Sequence, residues 1–559
     1  MRSYAIVVVR KDSLPFIADI LSASNWTTTL ERNGWVVVVH SAHAENLDSV
    51  SGGTLGWWVD HDAKVLSYSA FRAPPVPAMS PKEGRYVSVD LSDTGLVVGG
   101  DAFRQFPILY SATDDFAIVS DSPFAISRVL RALGKPARPN TEAILARSWH
   151  RTVSMQCLSE ETFCQDIRMC SVASCLEIKL GDRALSAFRH DLELEAIFRR
   201  THSDYATCLK RGLLEVAGLM ATLPQVCTSL AIDLSGGRDS RAVAAIASGL
   251  PSLSPLSQFY TSKSPEDAPT AHDLLKRIDT SKQMNPRRGK RRRPSWHDWV
   301  VASAGLHDQP LLPVQRREPG KAVPVGGHGG EVLRTMWNGL PLLGQSFAAP
   351  LDVQPALRAQ LKKGFSTRGL SPRARQASEW HYLVFRNALH GSRAATQDPV
   401  KLSPLMNVGL AGLALTEYGR LRFPKNRNNV VMDMILLSNP ALLDVPFASH
   451  DWRPAEKQRQ SRRASLGPVD LEAVQPYEVV GRITDLSSEP SPIFRSMALD
   501  FIGEDLPLRE IKSTAKSHLH RIDLPSEVTR RRFQAAIDGP DGFLSDAYAC
   551  KTLAISALQ

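Results

Sequence analysis

Residues 230–246 read LAIDLSGGRDSRAVAAI, and this stretch decides the fold. A short apolar run ends at Leu234, the chain turns through Ser235, Gly236 and Gly237, and an alanine-rich helix begins near Asp239. Two glycines let backbone N–H groups approach an anion with no Cβ in the way. Together with the helix N-terminus they form a concave donor array suited to phosphate oxygens. Ser235 and Ser240 add hydroxyl groups. Asp239 is an anion beside anions, which makes sense as a ligand to Mg2+, a hard cation that bridges carboxylate and phosphate. The Walker phosphate loop needs G-x-x-x-x-G-K-[ST], and this turn lacks the lysine.

Outward from that turn the pattern alternates. Residues 203–223, SDYATCLKRGLLEVAGLMATL, carry apolar residues at helical spacing behind a Ser/Asp cap. After the turn come a strand, SPLSQFYTS, and a helix, DAPTAHDLLKRI. Strands alternating with helices at this interval predict a parallel α/β sheet, followed beyond residue 350 by a mostly helical tail. The first 195 residues read differently. YAIVVV, GWVVVVHSA, YVSVDLS, GLVVGGD, FPILYS and FAIVSD are β-branched or aromatic runs separated by Gly, Asp and Ser, as expected of a sheet-rich layered domain. Two domains follow, residues 1–195 and 205–559.

Bulk properties narrow the class. No run approaches 18 uninterrupted apolar residues, and YAIVVVRKD at the start reads as a strand, so neither a membrane span nor a signal peptide is expected and a cytoplasmic protein is the default. The seven cysteines are an odd number, and Cys157, Cys164, Cys170 and Cys175 lack the C-x2-C pairs of a zinc site; all are expected to be reduced and structural. The net charge of +10 is compatible with anionic partners. Part of it lies in residues 287–293 and part in Arg459 to Arg463, both read as solvated basic stretches.

The S-G-G-x-D-S pattern at a strand–helix junction resembles that of the PP-loop ATP pyrophosphatases. A second segment, GGHGGEVLR at residues 326–334, resembles the S-G-x-G-x-D-E segment of the asparagine synthetase family. DQP at 308–310, PEDAPTAHDLL and SPLMNVGLAGLAL from Ser403 agree with that family's flanks. GGDAFRQFPILYS and DFAIVSDSPFAI resemble segments of its glutaminase-like domain. The resemblance implies an N-terminal Ntn-hydrolase-like αββα sandwich and a C-terminal PP-loop synthetase domain using ATP and Mg2+. It implies a phosphate loop of Leu234, Ser235, Gly236, Gly237, Asp239 and Ser240, with Gly326 and Gly327 close to the adenylate. Asp239 and Glu331 would hold the metal, Glu331 standing where the family has an aspartate. His328 would be a general base, and Glu379 and Lys457 are further catalytic candidates, although a solvated surface position is the simpler expectation for both.

The departures shape the expected reaction. Glutamine-dependent members expose a cysteine once the initiator methionine is removed. Here Arg2 follows Met1, no cysteine precedes Cys157, and Ser3 would serve only after removal of two residues. Covalent attack on an amide has no candidate nucleophile. The loss resembles the β-lactam synthetases and lasso-peptide cyclases, in which the substrate supplies its own amine. The expectation is an ATP-dependent carbon–nitrogen ligase that forms an acyl-adenylate, releases pyrophosphate and closes an amide within a small molecule or peptide. A precursor peptide and its processing protein are candidate partners. An ammonia-dependent asparagine synthetase and a tRNA-modifying PP-loop enzyme are the alternatives, the latter disfavoured because only Cys227 lies near the loop.

Overall fold

In a computed structural model of the chain, the described residues are 4–22, 26–41, 46–48, 50–71, 75–149, 152–198, 204–261, 267–279, 281–286, 295–296, 299, 303, 306–308, 321–337, 340–374, 376–387, 389, 401–416, 422–423, 427–428, 430–448, 453–486, 506–540 and 542–559. Residues 287–293, the first basic stretch, and Gln309 and Pro310 of DQP lie outside them. Mixed α/β structure with open sheets is the result.

The first part contributes β1 (Ala5–Arg10), β2 (Trp26–Arg32), β3 (Trp35–His40), β4 (Gly52–Asp60), β5 (Val65–Ala70), β6 (Glu83–Ser92), β7 (Gly95–Gly100), β8 (Leu109–Ala112), β9 (Phe116–Ser120), β10 (Arg168–Met169), β11 (Ser174–Leu180) and β12 (Leu185–Asp191). One sheet runs β10-β8-β9-β1-β3-β2 and another runs β12-β11-β7-β6-β4-β5, every pair antiparallel. β3 is buried at all its positions, which marks a strand covered on both faces. Helix α1 (Pro123–Ala132) packs on β9. It starts where Ser122 Oγ accepts from the Ala125 amide at 3.3 Å, with Pro123 at the first position, where its missing N–H costs nothing.

Helix α2 (Tyr205–Thr222) opens on the expected cap, Asp204 accepting from the Thr207 amide at 3.1 Å. Then β13 (Ser229–Asp233), α3 (Arg238–Ser248), β14 (Ser257–Thr261), α4 (Asp267–Ile278), β15 (Asn285–Pro286) and β16 (Ala322–Val325) follow in chain order. They build a four-stranded sheet ordered β15-β14-β13-β16, all parallel. From β13 the chain steps outward through β14 to β15, then returns to place β16 on the other flank of β13. The strand order therefore switches at β13, and the crevice at the carboxyl ends of such strands is where open α/β sheets bind ligands.

The rest is mainly helical: α5 (Gln354–Thr367), α6 (Ala377–His381) running into a π-helical turn at Tyr382–Asn387, α7 (Val408–Thr416), the hairpin β17 (Arg422–Phe423) and β18 (Arg427–Asn428), α8 (Val430–Ser438), α9 (Glu456–Leu466), α10 (Leu508–Leu519), α11 (Glu527–Asp538) and α12 (Phe543–Leu558). A further short strand follows α9. β19 (Glu478–Val480) pairs in parallel with β5, at the edge of the first part's sheet. Where the two parts meet, His61, Glu83 and Glu215 lie within 4.8 Å of one another and are buried. The Asn407 amide donates to Glu83 at 3.1 Å and Glu215 at 2.8 Å, and His61 bonds Glu83 at 2.6 Å and the Tyr477 hydroxyl at 2.9 Å. The Val408 amide also donates to Glu83 at 2.7 Å and Arg211 Nε to Glu215 at 3.1 Å, so both buried carboxylates are satisfied. Among the described residues no helix is long and apolar enough to cross a membrane.

Two sequence expectations change. Arg459 and Arg462 are not solvated. Three residues apart on α9, they share a face; Arg459 pairs with Asp444 at 2.6 Å, and Arg462 with buried Asp433 at 2.7 Å. Glu379 is also interior, with only 2% exposed.

Candidate functional site

Two glycine-rich segments meet at the switch point. The turn after β13 leads into α3, and residues 326–329 follow β16 into a one-turn helix, Gly330–Leu333. Their contact is backbone on backbone. A Cβ at Gly327 would lie 2.6 Å from the Ser240 amide nitrogen, and one at Gly330 would lie 2.3 Å from Asp239 Cγ. No side chain fits at either position, so glycine brings the second segment directly against the N-terminus of α3.

The turn is held by its own side chains. Ser240 Oγ accepts from the Ser235 amide at 3.0 Å and lies 2.9 Å from Ser235 Oγ. Ser235 Oγ accepts from the Gly237 amide at 3.2 Å, and Asp267 Oδ1, from the first turn of α4, accepts from the Gly236 amide at 3.2 Å. The serine hydroxyls thus accept from loop amides while each keeps an O–H to donate. Leu234 is buried and donates its amide to the Tyr260 carbonyl at 2.8 Å. Behind the turn, Arg241 is 0% exposed, and no carboxylate among the described residues pairs with it. It donates to the carbonyls of Leu442 at 3.0 Å, Val445 at 2.6 Å and Pro446 at 2.9 Å, and stacks 4.0 Å from the Phe447 ring. Burial pushes its guanidinium down to about 9. The same segment bonds the turn directly, the Ala448 amide donating to the Gly236 carbonyl at 3.2 Å.

Asp239 and Glu331 face one region. Burial, with Glu331 close by, raises the Asp239 carboxyl above its ordinary value against the pull of Arg334. Arg334 Nε donates to Asp239 Oδ2 at 3.0 Å, while Asp239 Oδ1 is buried with no hydrogen-bond partner. Glu331 Oε2 accepts from the Gly329 amide at 3.1 Å and stands 3.7 Å from His328 Nδ1. The donor set therefore fits a hard divalent cation: two neighbouring carboxylates, one with an unused buried oxygen, brought close by glycines. Asp239 and Glu331 would hold it.

No known protein family matches the chain, and no curated protein does. Function must therefore be argued from this geometry. Of the expected site residues, the structure brings together Ser235, Gly236, Gly237, Asp239, Ser240, Gly326, Gly327, His328 and Glu331. Glu379 stands one layer behind: its carboxylate accepts from the Trp337 amide at 2.9 Å and 3.1 Å, fixing the residue that follows this segment. Lys457 is exposed in the first turn of α9, and residues 449–452, which join α9 to the segment over the turn, lie outside the described residues.

Sequence reading missed three cations. Arg334 belonged to the quoted segment without a role. Lys401 places Nζ 3.4 Å from the Cβ position of Gly326, in line with β13. Arg386, on the π-helical turn, lies 5.8 Å from the Trp337 ring and 5.7 Å from the Tyr382 ring. The signal for Arg334 was its place three residues after Glu331, on one face of a helical turn. Neither of the others carries a local sequence signal.

Proposed function

We propose that the protein is a PP-loop ligase of asparagine synthetase type, with an Ntn-hydrolase-like first domain that does no glutaminase chemistry. It activates a carboxylate as an acyl-adenylate and couples it to an amine carried by the same substrate, as a lasso-type macrolactam cyclase would. The single observation that carries this reading is the backbone contact of the two glycine-rich segments around Asp239 and Glu331 at the strand-order switch. A nucleotide polyphosphate at the N-terminus of α3 would take over the turn amides from Ser240, Asp267 and Ser235, which accept from them here, and Mg2+, when bound, would neutralise the charge of the leaving pyrophosphate.

The chain's residues then have definite tasks. A carboxylate oxygen of the substrate attacks the α phosphorus, the α–β anhydride bond breaks, and pyrophosphate leaves against the turn. The amine attacks the acyl carbon, AMP departs, and the amine proton passes to His328, whose Nδ1 stands 3.7 Å from Glu331 Oε2. Holding both groups on one substrate supplies an effective concentration on the order of 10^5 M, which replaces ammonia from glutamine. Lys401 and Lys457 are candidate cations for the charge that develops on the acyl and phosphoryl oxygens. Glu379 acts through Trp337 as a positioning residue.

The test is exchange of labelled pyrophosphate into ATP across aspartate, β-amino acids and peptides bearing both an amine and a carboxylate. Exchange dependent on one such acid is the expected result, with Asp239→Asn lowering it by at least about 100-fold. Exchange undiminished in Asp239→Asn would overturn the metal role. Exchange driven by aspartate alone would turn the reading toward an ammonia-dependent asparagine synthetase.

A further inference from the structure

Arg334 stands where a metal ion would otherwise sit against Asp239. Its Nε is 3.0 Å from Asp239 Oδ2, and the two side chains are 25% and 19% exposed. The pair cannot drift apart easily, because Gly330, at the start of the one-turn helix that Arg334 ends, backs directly on Asp239 Cγ. Arg334 feels both carboxylates, Asp239 and Glu331, while Arg238 also acts on Asp239 and Arg386 on Glu331. An arginine cannot lose its proton to make room, so it leaves Asp239 only when something better is offered to both partners.

We infer that Arg334 is a resident stand-in for the divalent cation, holding Asp239 until a metal–polyphosphate complex arrives, so that metal enters with nucleotide and not ahead of it. The inference rests on the nucleotide reading of this site. A bare divalent cation must break the ion pair and leave a guanidinium next to a metal, like charge beside like. A metal–polyphosphate complex brings its own negative charge. It offers the freed guanidinium planar, bidentate acceptors on phosphate, which arginine matches better than lysine. Asp239 Oδ1, already without a hydrogen-bond partner, is then the first oxygen to meet the incoming metal.

The test is a Mn2+ titration of the full chain, free Mn2+ being followed by electron paramagnetic resonance, with and without the uncleavable α,β-methylene-ATP. Wild type should bind Mn2+ weakly alone and more tightly with the analogue. Arg334→Met should bind Mn2+ alone about 10-fold more tightly than wild type, the scale of one charge-assisted hydrogen bond at a partly buried site, and should bind the analogue less well. Arg334→Gln carries the same expectation should the methionine variant fail to fold by circular dichroism, and Arg334→Lys should stay near wild type for Mn2+ alone. Equal or weaker affinity for Mn2+ alone in both neutral variants overturns the stand-in role while leaving the nucleotide site in place. Absence of Mn2+ binding in every protein, analogue present or not, overturns the metal reading of Asp239 and Glu331 and this inference with it.

Discussion

His381 ends α6 with its ring wholly buried between Phe365 and Phe385, at centroid distances of 5.1 and 4.9 Å. Its Nε2–H donates to the Leu158 carbonyl at 2.9 Å, which leaves Nδ1 as the acceptor facing Gln156. Burial lowers its pKa to about 4. A histidine depressed on folding binds its proton more readily in the unfolded chain, so its contribution to stability is complete above the unfolded value and is lost as pH falls from about 6.5 toward 4. At about 1.4 kcal/mol per pKa unit the loss approaches ~3 kcal/mol. His381→Gln should flatten the stability profile between pH 6.5 and 4 in urea unfolding, and an unchanged slope would show that the ring is not held neutral. At this scale the sequence was legible where chemistry is local. The glycines, the two serines and Asp239 announce themselves because they stand side by side in one short strand–helix junction. Arg334 and Lys401 do not, because each owes its position to a neighbour brought in by the fold.

The turn at residues 234–237 is an element only because a distant segment holds it. Arg241 reaches from α3 to three carbonyls of residues 442–446, and the Ala448 amide closes on Gly236. Arg241→Met would strand those carbonyls inside the protein, a cost of about 3 kcal/mol, and would loosen the loop at the same time. A lower thermal midpoint together with weaker binding of α,β-methylene-ATP is expected; a midpoint within a degree of wild type would show that the carbonyls find other donors. Helices α2 and α4 were legible to within a residue or two, since a cap and a 3.6-residue apolar spacing are encoded side by side. β19 was not. Three residues, EVV, carry no period, and only the open edge of β5 makes them a strand. The arginines of α9 misled because a run of like charges reads as solvated until Asp433 and Asp444 are seen beneath it.

Across the whole molecule, the two parts are sewn together by more than one thread. β19 extends the first part's sheet, and Asn407, at the start of α7, joins Glu83 to Glu215. The buried Asp308, which accepts from Arg147 at 3.0 Å and Lys551 at 2.6 Å, ties α12 to the first part as well. Such long-range pairs are invisible to a linear reading, which divides the chain at residues 195–205 and can say nothing of what crosses that line. The alternation of strand and helix, in contrast, fixes a parallel sheet, and open sheets of that kind bind ligands at their carboxyl ends. The account stands or falls on that end of the sheet. A crystal of the protein grown with Mg2+ and α,β-methylene-ATP should show the β and γ phosphates at the turn of residues 235–238, in place of Asp267 on the Gly236 amide, and the metal shared by Asp239 and Glu331. Nucleotide density elsewhere, with Arg334 still on Asp239 and the turn unchanged, would contradict it.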